Sequence, residues 1–374
     1  MEQVLNNRVD EYKEELLKSI IEVVNIPSVK DKPKLNAPFG EGTKEALLKT
    51  LKIAENLGFK TNNLDNYIGY AQYGEGEDYI GVLGHLDVVP AREGWKFPPF
   101  SGHIEDGRIY GRGVLDNKGP ILSALYALYA IKESNLKLSR PVRIIFGTDE
   151  ESGFNDIPYY LKRERPPIMG FTPDCKYPVV YGERGRANIQ FEIDYNDKSY
   201  EKAADEFFNF LNNYILSSKS SGDRLNIDFK DEEFGVMEMR NYNIHIEDSK
   251  LLFNISLSYP ATVSIDEILK RIKLKLSKNM KLNLLLNYNP VKFNKDSFLV
   301  KSLQEAYEEV TKLDGTPVTT TGGTYAKIMP NIVPFGPSFP GQKGISHNPN
   351  EYMDIEDIML NSKIFAQAIY NLAK

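Results

Sequence analysis

A chain of 374 residues is longer than one ordinary hydrophobic core organises, so two domains, or one large domain carrying an insertion, are expected. Its 41% hydrophobic and 26% charged residues exclude a disordered or fibrous chain, and a net charge of −6 argues against nucleic acid or an anionic membrane as a partner. One cysteine, Cys175, excludes an internal disulfide framework and fits a reducing compartment. With no signal-peptide pattern in residues 1–24 and no apolar run near the ~20 residues of a membrane helix, a cytoplasmic protein is expected.

The first expected helix covers residues 6–24, with Leu16, Leu17, Ile20, Val23 and Val24 on one stripe and Pro27 closing it. A second covers 43–57 and stops at Gly58. Strands at 60–62, 68–73 and 79–84 follow, and this alternation predicts an α/β fold with a mainly parallel sheet flanked by helices. The third strand runs into Gly84-His85-Leu86-Asp87. Side chains alternate faces along an extended segment, so His85 and Asp87 point the same way, and the carboxylate can hold an imidazole that binds a metal. A strand-end histidine that merely meets water fits the same residues, so the reading needs further ligands.

Residues 94–113 form a loop and hairpin rich in Gly and Pro, with His103 at its surface, delivering Asp116-Asn117-Lys118-Gly119 ahead of a helix at 120–133. Asp116 reads either as part of that helix's cap or as a group projecting towards the sheet edge that carries His85. The apolar strand at 142–146 ends in Thr148-Asp149-Glu150-Glu151-Ser152-Gly153. Consecutive acids repel unless cations sit nearby, although a solvated loop before a helix also favours them. Further acids and a histidine come in Gly170-Phe171-Thr172-Pro173-Asp174 and in Ser346-His347-Asn348-Pro349-Asn350-Glu351, before a last helix at 355–373. His85, Asp116, Glu151, Asp174 and His347 thus collect at element ends as an imidazole and carboxylate set of zinc type, also usable by cobalt or manganese.

These blocks, with Gly111-Arg112-Gly113, Gly322-Gly323-Thr324-Tyr325-Ala326-Lys327 and residues 337–347, stand in an order that resembles the zinc aminoacylase, carboxypeptidase and dipeptidase family of metallopeptidases, most closely its PepV-like dipeptidase branch. The resemblance covers residues 1–186 and 292–374 well and the middle poorly. It implies a zinc-dependent dipeptidase with two Zn2+ per chain, bridged by Asp116. His85 and Asp174 would complete one position, and Glu151 and His347 the other. Asp87 would orient His85, and Glu150 would be the general base that activates a metal-bridging water. Gly322, Gly323, Thr324 and Tyr325 would form a substrate-positioning loop. The expected partner is a small peptide, and the chain is expected as a monomer or homodimer.

Residues 1–186 and 291–374 are then a discontinuous catalytic domain, and 187–290 an inserted lid. The lid reads as strands at 188–193, 225–229, 235–246, 250–257 and 281–288 with helices at 200–216 and 264–276, an α+β arrangement of ferredoxin-like type. Its first helix is expected to bury Ala204, Phe207, Phe208, Leu211 and Ile215, and Ser264-Ile265-Asp266-Glu267 is a capping box. His245 falls on the polar side of its strand, opposite Tyr242, Ile244 and Ile246. The lid departs from the resembled pattern in two places. Residues 194–199 lack the family's histidine, and Ser258-Tyr259-Pro260 stands where Arg-Tyr-Pro is usual. Two alternatives follow: a metal-retaining homologue that binds peptide without cleaving it, and a hydrolase of N-acyl amino acids.

Overall fold

The computed structural model describes residues 2–196 and 198–374. Two compact units divide the chain. Met1–Val180, Asn294–Val318 and Thr324–Lys374 form the first, and Tyr181–Phe293 with Thr319–Gly323 form the second. The divisions fall a few residues from the expected 186/187 and 290/291, and the short 319–323 segment joins the second unit.

The first unit is built on a six-stranded sheet in the order Lys60–Leu64, Ile68–Tyr73, Val142–Gly147, Ile80–His85, Met169–Thr172, Ile332–Pro334. The last four strands run parallel, and the first two form an antiparallel edge. Ile80–His85 and Val142–Gly147 are buried at every residue, which is why they read as unbroken apolar runs rather than alternating ones. Helices Lys118–Glu133 and Ile355–Ala373 pack on each other and on the Ile80–His85 strand, while Glu41–Asn56 packs on the antiparallel edge. The α/β fold with a mostly parallel, helix-flanked sheet is therefore as expected.

Local differences have local causes. The expected helix at 6–24 is two helices, Glu2–Glu11 and Lys13–Val24, broken where the Tyr12 N–H bonds back only three residues, to the Val9 carbonyl. The helix expected from Pro120 begins two residues earlier, at Lys118. Pro120 still lies in the first turn, where its missing N–H costs no helical bond. Among the described residues no helix is long and apolar enough to cross a membrane.

The second unit holds a four-stranded antiparallel sheet in the order Glu238–Glu247, Lys250–Tyr259, Gly185–Asp194, Met280–Tyr288. Helices Tyr200–Leu211 and Ile265–Lys273 follow the first and third of these strands in the chain, which gives the ferredoxin-like arrangement. Ala187, Ile189, Phe191 and Ile193 alternate inward with Leu251, Phe253, Ile255 and Leu257. Ser264 accepts a hydrogen bond from the Glu267 N–H at 3.3 Å, so the expected cap forms.

Three expectations change here. The helix at 200–216 keeps α geometry only to Leu211 and continues as a π turn, Asn212–Leu216. Its buried stripe is Ala203, Phe207, Phe210, Leu211 and Ile215, while Phe208 is 50% exposed, so the apolar face lies one position round from the one expected. No regular strand forms at 225–229. Asn226 takes a left-handed φ of 57°, and the segment opens as a short turn, Asp223–Leu225. A bulge at Asn241, with a left-handed φ of 55°, interrupts the alternation before His245, and on this edge strand Tyr242, Ile244 and Ile246 are about half exposed while His245 is partly buried.

The shifted stripe is checked by two neighbouring substitutions. Phe207→Ala is expected to cost about 3–5 kcal/mol, as for a buried ring. Phe208→Ala is expected to stay within about 0.5 kcal/mol. Urea unfolding midpoints read both, and equal losses would contradict the observed face.

Candidate metal centre

Three adjacent parallel strands end within one small region of the first unit. Ile80–His85 ends on a ligand candidate, Val142–Gly147 leads to Glu150 and Glu151, and Met169–Thr172 leads to Asp174. Carboxyl ends of parallel strands are where open α/β sheets place their ligands.

His85 is fully buried. Its Nδ1 lies 2.9 Å from the main-chain carbonyl of Asp87 and 3.5 Å from that residue's carboxylate. The imidazole thus meets both the Asp87 carbonyl and, at a longer distance, the expected carboxylate. That carboxylate is otherwise engaged, accepting the N–H groups of Glu150 and Glu151 at 3.1 Å each. With its Nδ1 proton donated to the carbonyl, His85 turns Nε2 towards Asp116 at 3.0 Å and Asp174 at 3.7 Å.

Asp116 is the meeting point. Its Oδ1 faces His85 and its Oδ2 lies 3.1 Å from His347 Nε2, which also meets Glu151 at 2.9 Å. Two groups of possible ligands result, His85 with Asp116 and Asp174, and Asp116 with Glu151 and His347; in each, the donor atoms lie within 4.8 Å of one another. All five ligand candidates are included, and Cys175 belongs to neither group.

The electrostatics ask for positive charge. Burial opposes a charged His85, yet Asp174, Asp116 and Asp87 hold its pKa well above the usual value. Hydrogen bonds to Asp116 and Glu151 push His347 up to about 10. Burial, with the neighbouring Asp116 and Glu151 charges, pushes Asp174 up to about 7. Burial and then Asp174 raise Glu150 well above the carboxylate range. A lone pair on His85 Nε2 aimed at two carboxylates is tenable only with a proton or a cation between them. Imidazole nitrogen with carboxylate oxygen is a donor set that zinc accepts. The residues present therefore fit a pair of divalent ions sharing Asp116.

Several supporting residues escaped the sequence reading. Asn117 accepts the His85 N–H at 3.2 Å and donates to the Pro173 carbonyl at 2.6 Å, tying two strand ends together. A side chain at position 84 would collide with that amide, so Gly84 is required for the approach. Asp149, the first acid of its run, is not at the centre: it pairs with Lys30 at 2.6 Å and accepts from Asn155. Asp156 accepts the Thr148 N–H at 2.8 Å and the Tyr325 hydroxyl, and burial pushes it up to about 7.

The expected substrate loop divides. Gly322 and Gly323 are exposed residues of the second unit, whereas Thr324 and Tyr325 belong to the first. Thr324 accepts from the Ala326 N–H, capping the short Tyr325–Lys327 turn. Tyr325 is fully buried, its hydroxyl in the space a side chain at Gly147 would need and its ring 6.3 Å from that of His85. The ring is thus enclosed beside the centre. His103 stacks on Phe97, and His245 bonds Asn243, so neither histidine joins the centre.

Comparison with known proteins shows what the chain as a whole is similar to. A family model described as Peptidase family M20/M25/M40 matches residues 81–371. A Bacillus subtilis strain 168 protein provisionally named dipeptidase YtjP is 30% identical over 455 aligned positions, covering 97% of this chain and 98% of the relative. That alignment is longer than this chain, so the relative carries segments without a counterpart here. The Beta-Ala-Xaa dipeptidase of Lactobacillus delbrueckii subsp. lactis is 28% identical over 457 positions, with 97% of each chain covered. Among solved structures, human carnosine dipeptidase 1 superposes with a TM-score of 0.76 at 17% identity, covering 99% of this chain and 98% of that one.

Divalent ions are expected to stabilise the folded chain by neutralising the gathered carboxylates. At a free concentration a hundredfold above Kd the gain is about 2.7 kcal/mol, seen as a higher thermal midpoint than that of chelator-treated protein. An unchanged midpoint with zinc, cobalt and manganese alike would count against the centre.

Proposed function

The chain belongs to Peptidase family M20/M25/M40, and from that premise we propose that it is a zinc-dependent dipeptidase, cleaving the amide bond of small peptides at a two-metal centre. The observation that carries the proposal is the position of Asp116, shared between two groups of ligand candidates beside the Glu150 carboxyl. The dipeptidase names of the relatives support the substrate class, and the Bacillus subtilis YXEP protein, a solved M20 structure, is described as a dinuclear metal-binding peptidase. One cysteine in the chain fits a cytoplasmic setting.

His85, Asp116 and Asp174 would hold one ion, and Asp116, Glu151 and His347 the other. Ions bound there would supply Lewis-acid polarisation of the amide carbonyl and would acidify a water. The protein's own part falls to Glu150. Burial and nearby carboxylates hold its pKa high, so neighbouring positive charge is what returns it to the carboxylate form needed for a base. Glu150 then takes a proton from the attacking water as the new C–O bond forms, and gives it to the nitrogen as the C–N bond breaks. Asp87, bonded to the N–H groups of both Glu150 and Glu151, fixes the base relative to its neighbouring ligand.

Glu150→Gln is expected to lower kcat by about 10²–10⁴-fold while metal content stays at two ions per chain. Amino-acid release from a dipeptide panel, run beside N-acyl amino acids, measures the first, and elemental analysis the second. Metal-loaded wild type that cleaves neither class would overturn the proposal.

A further inference from the structure

The loop that carries His347 also carries a carboxylate that no part of the chemistry above uses. Glu351 is fully buried. Its main-chain carbonyl accepts the Gly111 N–H at 3.0 Å. Its Oε1 accepts the N–H groups of Gly113, Leu115 and Asp116 at 3.0, 2.9 and 3.1 Å, and its Oε2 accepts Arg112 Nη1 at 2.6 Å. One residue thus gathers donors from almost every position of the segment 111–116 that ends on Asp116. Arg112 is itself 1% exposed, with its guanidinium 5.2 Å from the centre of the Trp95 ring.

The residue before Glu351 is pinned as well. Asn350 accepts the Lys96 N–H at 2.6 Å and donates to the Gly94 carbonyl at 3.0 Å. His347 and Asn350 both take left-handed backbone, at φ 64° and 63°. A few residues ahead of these two adjacent anchors the chain presents His347 to Asp116 and Glu151. A buried ion pair adds little net stability on its own, because desolvating both charges offsets most of their attraction. The Arg112–Glu351 pair is more specific in its effect: it locks together two loops that each end on a ligand candidate.

We propose that Glu351 is a positioning residue that sets the separation of Asp116 and His347, and so sets the affinity of the metal position these two share with Glu151. This rests on the two-metal reading given above. Loss of the Glu351 carboxylate lets the 111–116 segment and the His347 loop move independently. The His85, Asp116 and Asp174 position has two ligand candidates outside these loops and is less affected.

The test is a zinc titration of the metal-free full chain against a chromophoric chelator, for wild type, Glu351→Gln, Glu351→Ala and His347→Ala. Wild type is expected to take up two ions. Glu351→Gln, which keeps the side chain's size, is expected to weaken one of the two steps by about 10–100-fold, as for other groups that hold a ligand in place. That step should be the one His347→Ala removes, and Glu351→Gln should add little in the His347→Ala background, because the two residues act on one position. Glu351→Ala is expected to show a larger loss of the same kind. Wild-type affinity at both steps in Glu351→Gln would overturn the proposal, as would equal weakening of both steps in proportion to lost thermal stability. A wild type that binds two ions but cleaves no dipeptide would overturn the proposed reaction and leave this inference standing, whereas a wild type that binds none would overturn both.

Discussion

The constraint on which the first unit depends is the repulsion among carboxylates brought to one end of its sheet. Asp116, Glu150, Glu151 and Asp174 gather there with two imidazoles. Two unit charges 4 Å apart at an effective dielectric near 20 interact by about 4 kcal/mol. A few such pairs approach the whole stability of a domain, roughly 5–15 kcal/mol. Protonating both histidines supplies two positive charges against four negative ones. Two divalent ions held there would supply four and would leave the imidazoles neutral, which is the form that ligates a metal. The raised pKa values of His85 and His347 and the raised carboxyls of Asp174 and Glu150 express the same deficit, with protons standing where cations balance it.

This explains which parts of the site were legible from the residues alone. A strand end followed by histidine, or by consecutive acids, is a local signal, and the parallel sheet turns several such signals to one edge. His85, Asp116, Glu151, Asp174 and His347 therefore stood out together and lie together. What stayed hidden depends on contacts across long stretches of chain. Asp87 was read as a partner for the His85 ring through its side chain, but the carbonyl is nearer, and the carboxylate serves backbone groups 63 and 64 residues away. Nothing local to Asn117 shows that its amide reaches Pro173. Tyr325 sits in a segment rich in glycine and threonine that reads as an open loop, yet Gly147 leaves a space that its hydroxyl enters.

In the second unit, period-two alternation located the sheet strands, and a single capping box opened the second helix, because both are local rules. The helix face was less legible. Over Tyr200–Leu211 the residues Ala203, Ala204, Phe207, Phe208, Phe210 and Leu211 offer two overlapping stripes, and only the position of the sheet chooses between them. Edge position has the same character. Ile244 and Ile246 alternate with polar neighbours as an inward row would, but a strand paired on one side leaves them about half exposed.

A common device runs through the supporting residues of the centre. Asp87, Asp156 and Glu351 are buried carboxylates that accept backbone N–H groups from the loops carrying the ligand candidates: 150 and 151 for the first, 148 and 149 for the second, 113, 115 and 116 for the third. Backbone donors hold a loop more stiffly than a side chain does, because they bring no rotamers to freeze. They also leave the side chains of Glu150, Glu151 and Asp116 free to point at a cation. The cost is the burial of further carboxyls behind the first layer, which Arg112 offsets for Glu351 and a raised pKa offsets for Asp156. One choice of acceptor thus stiffens the loops while leaving the side chains they carry to a cation, and altering that acceptor loosens the placement of those side chains.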